Sequence, residues 1–182
     1  MMLGRCREAV PVLKRYLGRY PDHVWAHVRL ATVYSMSGDD DAARAEGMEV
    51  ERAAALNPNS AFGYVALAEV MNVLGRSAEA LAAVEKAVRL DPGNRDRQPL
   101  YEQAWAYTHL GQWQAAIPLL KRYLARYPND FWAHALLAID RIEVGQNDAA
   151  RTEAAEVLRL NPQFSAELPC ATGGMKRKAP SA

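Results

Sequence analysis

The passage Leu13–His27, LKRYLGRYPDHVWAH, is spelled again at Leu120–His134 as LKRYLARYPNDFWAH, and eleven of the fifteen positions are identical 107 residues apart. Each copy holds a helical stretch, a proline that stops it and an aromatic restart. An echo at that distance asks whether a finer period lies beneath it. Prolines at Pro21, Pro58, Pro92, Pro128 and Pro162 close similar phrases (RYP, LNP, LDP, RYP, LNP), with spacings of 37, 34, 36 and 34. Seventeen residues before four of these prolines stand Gly4, Gly75, Gly111 and Gly145, and twelve before them stand Ala9, Ala80, Ala116 and Ala150. Seven before the turn glycines stand Ala31, Ala68, Ala104 and Ala138. One unit is irregular: Gly38 and Ala43 keep their spacing, but Pro58 arrives three residues late, which puts an insertion in RAEGMEVERA.

Each recurring residue has a mechanical reason. Glycine between two periodic segments supplies the left-handed residue that ends one helix before the next begins. The alanines mark close helix approaches that a larger side chain would open. Proline disfavours helical backbone in the residue before it, so the second helices stop at Asn57, Asp91 and Asn161. In SAEALAAVEKAVRL, Ala80, Leu81, Val84, Ala87, Val88 and Leu90 form an apolar stripe while Glu79, Glu85, Lys86 and Arg89 face water. Strand signals are absent.

This pattern resembles the tetratricopeptide repeat from about Leu3 to Pro162. In the unit Ala61–Asn94, the residues Tyr64, Leu67, Ala68, Met71, Gly75, Ala80, Val84, Ala87 and Pro92 occupy the family's signature slots. Gln103 and Arg141 depart from it, standing where the family prefers leucine and a large apolar residue. The resemblance implies an all-α, right-handed solenoid of antiparallel helix pairs with a concave inner face. The expected units are a half repeat over 4–21, repeats over 22–58, 59–92, 93–128 and 129–162, and a disordered tail over 163–182 that carries the basic stretch MKRK. Leu3 and Gly4 are expected in an inter-helix turn. That leaves Val10, Leu13 and Leu17 without a preceding partner and suggests self-association. The phrase AEVLRLNPQFS is similar to the C-terminal repeat arrays of bacterial class III adenylate cyclase-type signalling proteins, which implies a scaffolding or regulatory context.

The family places its ligand-facing residues 13, 10, 6, 3 and 2 positions before each turn glycine, one helical stripe. The sets here are Trp25, Val28, Thr32, Ser35 and Met36; Phe62, Val65, Glu69, Asn72 and Val73; Gln98, Tyr101, Trp105, Thr108 and His109; Trp132, Ala135, Ile139, Ile142 and Glu143. They describe an aromatic groove without Lys or Arg. Co-chaperone relatives hold a terminal carboxylate with Lys, Asn and Arg at two of these rows, which here read Val28 and Thr32, Val65 and Glu69, Tyr101 and Trp105, Ala135 and Ile139. The groove therefore suits an apolar helix or an extended peptide.

Totals narrow the function classes. Lys plus Arg is 22 against 21 for Asp plus Glu, so the net charge of +1 argues against nucleic acid as partner. Apolar residues are 50% of the chain, yet no run approaches the roughly 18 consecutive apolar residues of a membrane span. The N-terminus reads as no secretory signal, and Cys6 and Cys170 make no disulfide framework, so a cytoplasmic setting is expected. No nucleophile elbow, phosphate loop or paired metal-ligand motif is present. His23 and His27 lie four apart, as some metal ligands do, but no third ligand is placed; His27 and His134 read as half-buried packing residues. The expectation is a binding module with no enzyme activity, cofactor or metal. Self-association is the alternative, and helical-repeat RNA binding or catalysis the more remote ones.

Overall fold

The computed structural model describes residues 2–95 and 97–164. They form nine α-helices and one short 3-10 turn, with no strand among the described residues. Helix α1 is Met2–Arg19. Four helix pairs follow: α2 (Val24–Ser37) with α3 (Asp40–Leu56), α4 (Ala61–Val73) with α5 (Ser77–Leu90), α6 (Gln98–His109) with α7 (Trp113–Arg126), and α8 (Phe131–Glu143) with α9 (Asn147–Leu160).

The glycine and proline marks act as their chemistry requires. Gly38, Gly75, Gly111 and Gly145 have φ of 78°, 73°, 72° and 80°. In each turn the next residue's N–H reaches back five residues, from Asp39 to the Tyr34 carbonyl, Arg76 to Met71, Gln112 to Tyr107 and Gln146 to Arg141. This left-handed closure satisfies carbonyls that the helix end leaves open. Ahead of each phrase-closing proline, Asn57, Asp91, Tyr127 and Asn161 turn to φ between −138° and −125° and end their helices. Pro11 and Pro118 are different: they lie inside α1 and α7 at equivalent places of the repeated passage, and the helix continues through both.

The eight pairing alanines Ala31, Ala43, Ala68, Ala80, Ala104, Ala116, Ala138 and Ala150 are all buried. Around them lie Val28, Val50, Ala66, Val70 and Met71 at one end, and Leu100, Leu120, Leu124, Leu136 and Leu137 at the other. The three-residue insertion lengthens a helix, since α3 has 17 residues where α5, α7 and α9 have 14. His27 bonds Glu46 and His134 bonds Glu153, both 19 residues apart, so the two copies stay in register up to that point. The extra turn therefore comes after Glu46.

Three expectations need correction. Leu3 and Gly4 lie within α1 and form no turn. Val10, Leu13 and Leu17 are half-buried against Leu30, Tyr34 and Ala43, because α1 docks on the first helix pair; Val12 and Tyr16 on α1, and Tyr20 just after it, are exposed. Phe164, assigned to the tail, packs on Phe131 and Trp132. Residues 165–182 of the tail, including MKRK, lie outside the described residues.

The two departures from the repeat pattern resolve locally. Arg141 replaces an apolar filler with a charge that is nearly buried, and its guanidinium meets Glu153 at 3.1 Å and the Ala149 carbonyl at 3.0 Å. Gln103 is half-buried, where an apolar residue is not demanded.

Candidate binding groove

The first helices of the four pairs stand side by side and enclose a cavity of about 950 Å³. Thr32, Ser35 and Met36 come from α2, Glu69 and Val73 from α4, and Gln98, Tyr101 and Trp105 from α6. Trp132, Ala135, Ile139 and Ile142 come from α8. One residue per pair, at the same distance before the turn glycine, faces it throughout: Thr32, Glu69, Trp105 and Ile139. This repetition follows from the period, since equivalent residues of stacked pairs project alike.

The rest of the inner stripe divides. Val28, Val65, Asn72 and Thr108 are buried and do not line the groove. Val28 sits in the core with Ala31 and Val50. Asn72 donates to the Glu102 side chain and main chain at 3.0 Å, and Thr108 donates to Asp140 at 3.1 Å. Neighbouring first helices approach closely enough to seal these positions between them. Trp25 packs on the same core and edge-on to Phe62 at 5.4 Å, and neither ring lines the cavity although Phe62 is exposed. His109 stands behind Trp105 and accepts the indole N–H on Nε2 at 2.9 Å. Burial pushes the His109 imidazole below its ordinary value, which favours the neutral ring, the form that can accept. His109 is therefore a support for Trp105, not a groove residue. Glu143 lies outside the lining as well.

The stripe missed several lining residues. Arg29 and Glu102 lie one position beside it in equivalent places of their helices, and Arg29 corrects the expectation of a groove without Lys or Arg. Tyr123 and Asp130 enter from α7 and the turn after it. Ala154, Val157, Leu158 and Phe164 close the far end. Only a rule that treats the last repeat separately would have found these four, because no described helix follows α9 to cover them.

The aromatic wall is built of two ring clusters. Tyr101 lies 6.0 Å from Trp105 and 5.2 Å from Tyr123, ring centre to ring centre. Trp132 stands edge-on to Phe164 at 6.0 Å. The floor is acidic. Glu69 is 6% exposed; one carboxylate oxygen meets Arg29 at 3.1 Å, and the other, Oε2, has no hydrogen-bond partner. Glu102 is fully buried and accepts from Gln98 at 2.6 Å and from Asn72. Burial raises both carboxyls above the ordinary range, and Glu69 pushes Glu102 further. Burial raises the Tyr101 hydroxyl, and Glu102, Asp130 and Glu69 push it the same way.

The histidines have structural work. His23 Nδ1 accepts the Ala26 N–H at 3.2 Å and caps α2. His27 bridges Glu46 at 2.6 Å and the Pro21 carbonyl at 2.8 Å; His134 repeats this with Glu153 at 2.5 Å and the Pro128 carbonyl at 3.0 Å. Each clasp ties both helices of its pair to the loop before it, a polar role that the packing reading missed. Among the described residues no three His, Cys, Asp or Glu side chains gather as a metal site, and no helix is long and apolar enough to cross a membrane.

One model of the tetratricopeptide repeat matches residues 1–46 and 107–168, and a second such model matches 73–131. Similar solved structures include a tetratricopeptide protein of Thermus thermophilus (24% identity, TM-score 0.67, 89% of this chain and 86% of that one). Another is PilW, a type IV pilus biogenesis factor (23% identity, TM-score 0.62, 90% and 74%). A third is MamA of Desulfovibrio magneticus (17% identity, TM-score 0.57, 76% and 77%). At these identities the likeness is one of fold. Among curated proteins no sequence matches. The chain belongs to the tetratricopeptide repeat family.

Proposed function

We propose that this tetratricopeptide repeat chain is a non-catalytic protein-interaction module that holds a segment of a partner protein in its concave groove. The observation that carries the reading is the shared cavity. Four repeats contribute to one apolar, aromatic-walled trough of about 950 Å³, shaped for an extended or helical segment. Rigid rings such as Trp105 and Trp132 offer a large contact area at low entropic cost, as interface anchors do. The similarity of AEVLRLNPQFS to cyclase-associated arrays supports a scaffolding place within a bacterial signalling protein, and the paucity of framework cysteines supports a cytoplasmic one. The test is selection of binders from a random peptide library, followed by titration against variants. Trp105→Ala and Ile142→Asp should each weaken a selected peptide by about 2 kcal/mol while helical circular dichroism holds. Ile142 is 56% exposed, so its replacement leaves the core intact. Binding indifferent to both variants would move the site elsewhere.

Self-association is a second reading, and the outer face of α1 together with the residue that follows it favours it. Val12, Tyr16 and Tyr20 are 55%, 40% and 49% exposed, a contiguous apolar patch at helical spacing. Sedimentation should then show a concentration-dependent mass that Val12→Glu with Tyr16→Glu abolishes. A strict monomer at high concentration ends this reading. Replacing Val10 or Leu17 is no test of it, since both hold α1 to the first helix pair.

A further inference from the structure

Burial holds the two carboxyls beneath the aromatic wall above their ordinary range, and a cation seated beside them would favour their charged forms. Among the described lining residues the cation is Arg29, against Glu69, Glu102 and Asp130. Arg29 meets one oxygen of Glu69, and its own side chain is 58% exposed and lies over the Trp25 ring. Glu69 lines the cavity, and its Oε2 lies buried just beneath that surface without a hydrogen-bond partner. A buried carboxylate oxygen without a donor is costly, and groups of this kind persist where a ligand completes them. Glu102 adds a second buried carboxyl on the neighbouring helix, bound among the described residues by the neutral amides of Asn72 and Gln98. Beside both stand Tyr101 and Trp105, whose rings present electron-rich faces.

We propose that the groove takes a partner segment through a basic side chain, arginine or lysine, seated against Tyr101 and Trp105 with its charge at Glu69 and Glu102 and apolar neighbours on Met36, Ile139 and Ile142. This rests on the groove reading and names the chemistry of its occupant. A guanidinium matches the site in three respects: it donates to an open carboxylate oxygen, it tolerates burial when paired, and it stacks on aromatic faces. An all-apolar segment would leave Glu69 Oε2 unpaired. An acidic one would face Glu69, Glu102 and Asp130 in a site of low polarisability.

The experiment uses the full chain and peptides selected on it from a random library. Selected peptides should be enriched in Arg or Lys flanked by apolar residues. Exchanging that basic residue for glutamine in the peptide, which cannot disturb the protein's fold, should weaken binding about tenfold or more. Glu69→Gln should weaken the unmodified peptide similarly and leave the glutamine peptide unaffected. Peptides that need Trp105 and Ile142 but show no basic enrichment, or that survive the exchange, overturn the cationic seat and leave the groove reading standing. Peptides indifferent to Trp105 and Ile142 overturn both. If a synthetic copy of the chain's own residues 171–182 displaces the selected peptides and deleting that stretch strengthens them, the occupant is this chain's basic end and the partner assignment is lost.

Discussion

Tyr16 and Tyr123 stand at the same place in the two copies of one passage, yet the first is 40% exposed and the second 7%. Their neighbours shift together. Leu13 and Leu17 are half-buried and their counterparts Leu120 and Leu124 are buried; Val12 and Tyr20 are exposed and Leu119 and Tyr127 are not. The internal geometry of the passage is unchanged: the paired tyrosine rings lie 4.9 Å apart in one copy and 4.8 Å in the other. The difference is a neighbour. In the second copy α6 brings Leu100, Ala104 and Tyr101 against α7; among the described residues no helix precedes α1. A repeat sequence therefore specifies a shape, while burial, and with it the energy of each contact, depends on what is stacked beside it.

The comparison predicts its largest asymmetry at these tyrosines. Tyr123→Ala removes a packed ring and the hydroxyl that donates to Asp130 at 3.0 Å, and should cost about 3–4 kcal/mol in urea denaturation. Tyr16→Ala should cost under about 1 kcal/mol. Equal losses would mean that α1 is covered in solution, as the self-association reading requires.

The two histidine clasps come next. Glu153 serves His134 and Arg141 together, whereas in the first copy Tyr34 stands in the place of Arg141 and Glu46 serves His27. Glu153→Gln strands a nearly buried guanidinium and should cost about 2–3 kcal/mol, against about 1 kcal/mol for Glu46→Gln. Thermal melts of the two variants decide it, and a larger loss at Glu46 would break the argument.

A smaller effect separates Gly47 from its counterpart Ala154. A Cβ on Gly47 would come within 2.7 Å of the Leu74 side chain, because α4 stacks over α3 there. Ala154 is exposed and faces the groove. Gly47→Leu should cost about 1–2 kcal/mol through overpacking, and Ala154→Leu almost nothing, when both are measured by denaturant midpoint.

The smallest difference is a function of pH. Asp140 occupies the place that Val33 holds in the first copy. It is fully buried, accepts from Thr108 and has Oδ1 unpaired, and burial raises its carboxyl to about 7, with Glu143 pushing the same way. Between the unfolded value, about 4, and the folded one, the native state holds a proton that the unfolded chain has released, so stability falls as pH rises through this window. Asp140→Val should therefore stabilise by about 1 kcal/mol at pH 8 and by progressively less toward pH 4. A gain that does not shrink on acidification would show that Asp140 is not the titrating group.

Much of the fold was legible because each mark in the sequence has a local cause. A left-handed residue, an extended residue before proline and a small side chain at a close approach act within a few residues, so their spacing could be read directly. The groove was half legible. Thr32, Glu69, Trp105 and Ile139 follow from the period together with the inward-facing positions that the family resemblance implies. Val28, Val65, Asn72 and Thr108 did not, because a helical stripe sets direction and not the distance to the next helix. His27 and His134 were legible as equivalent, but their partners lie 19 residues away on the other helix of the pair.

By itself the sequence determined the helices and their turns, since backbone conformation is a local property, and its resemblance to the repeat family implied the pairing and the row that faces inward. The tertiary structure alone decided which members of that row meet a cavity and which are sealed between helices. It also placed Arg29, Glu102 and Phe164 in the lining and left one oxygen of Glu69 without a donor. Burial, and the cost of a charge within it, arises from atoms brought together from different repeats, and no window of sequence contains them all.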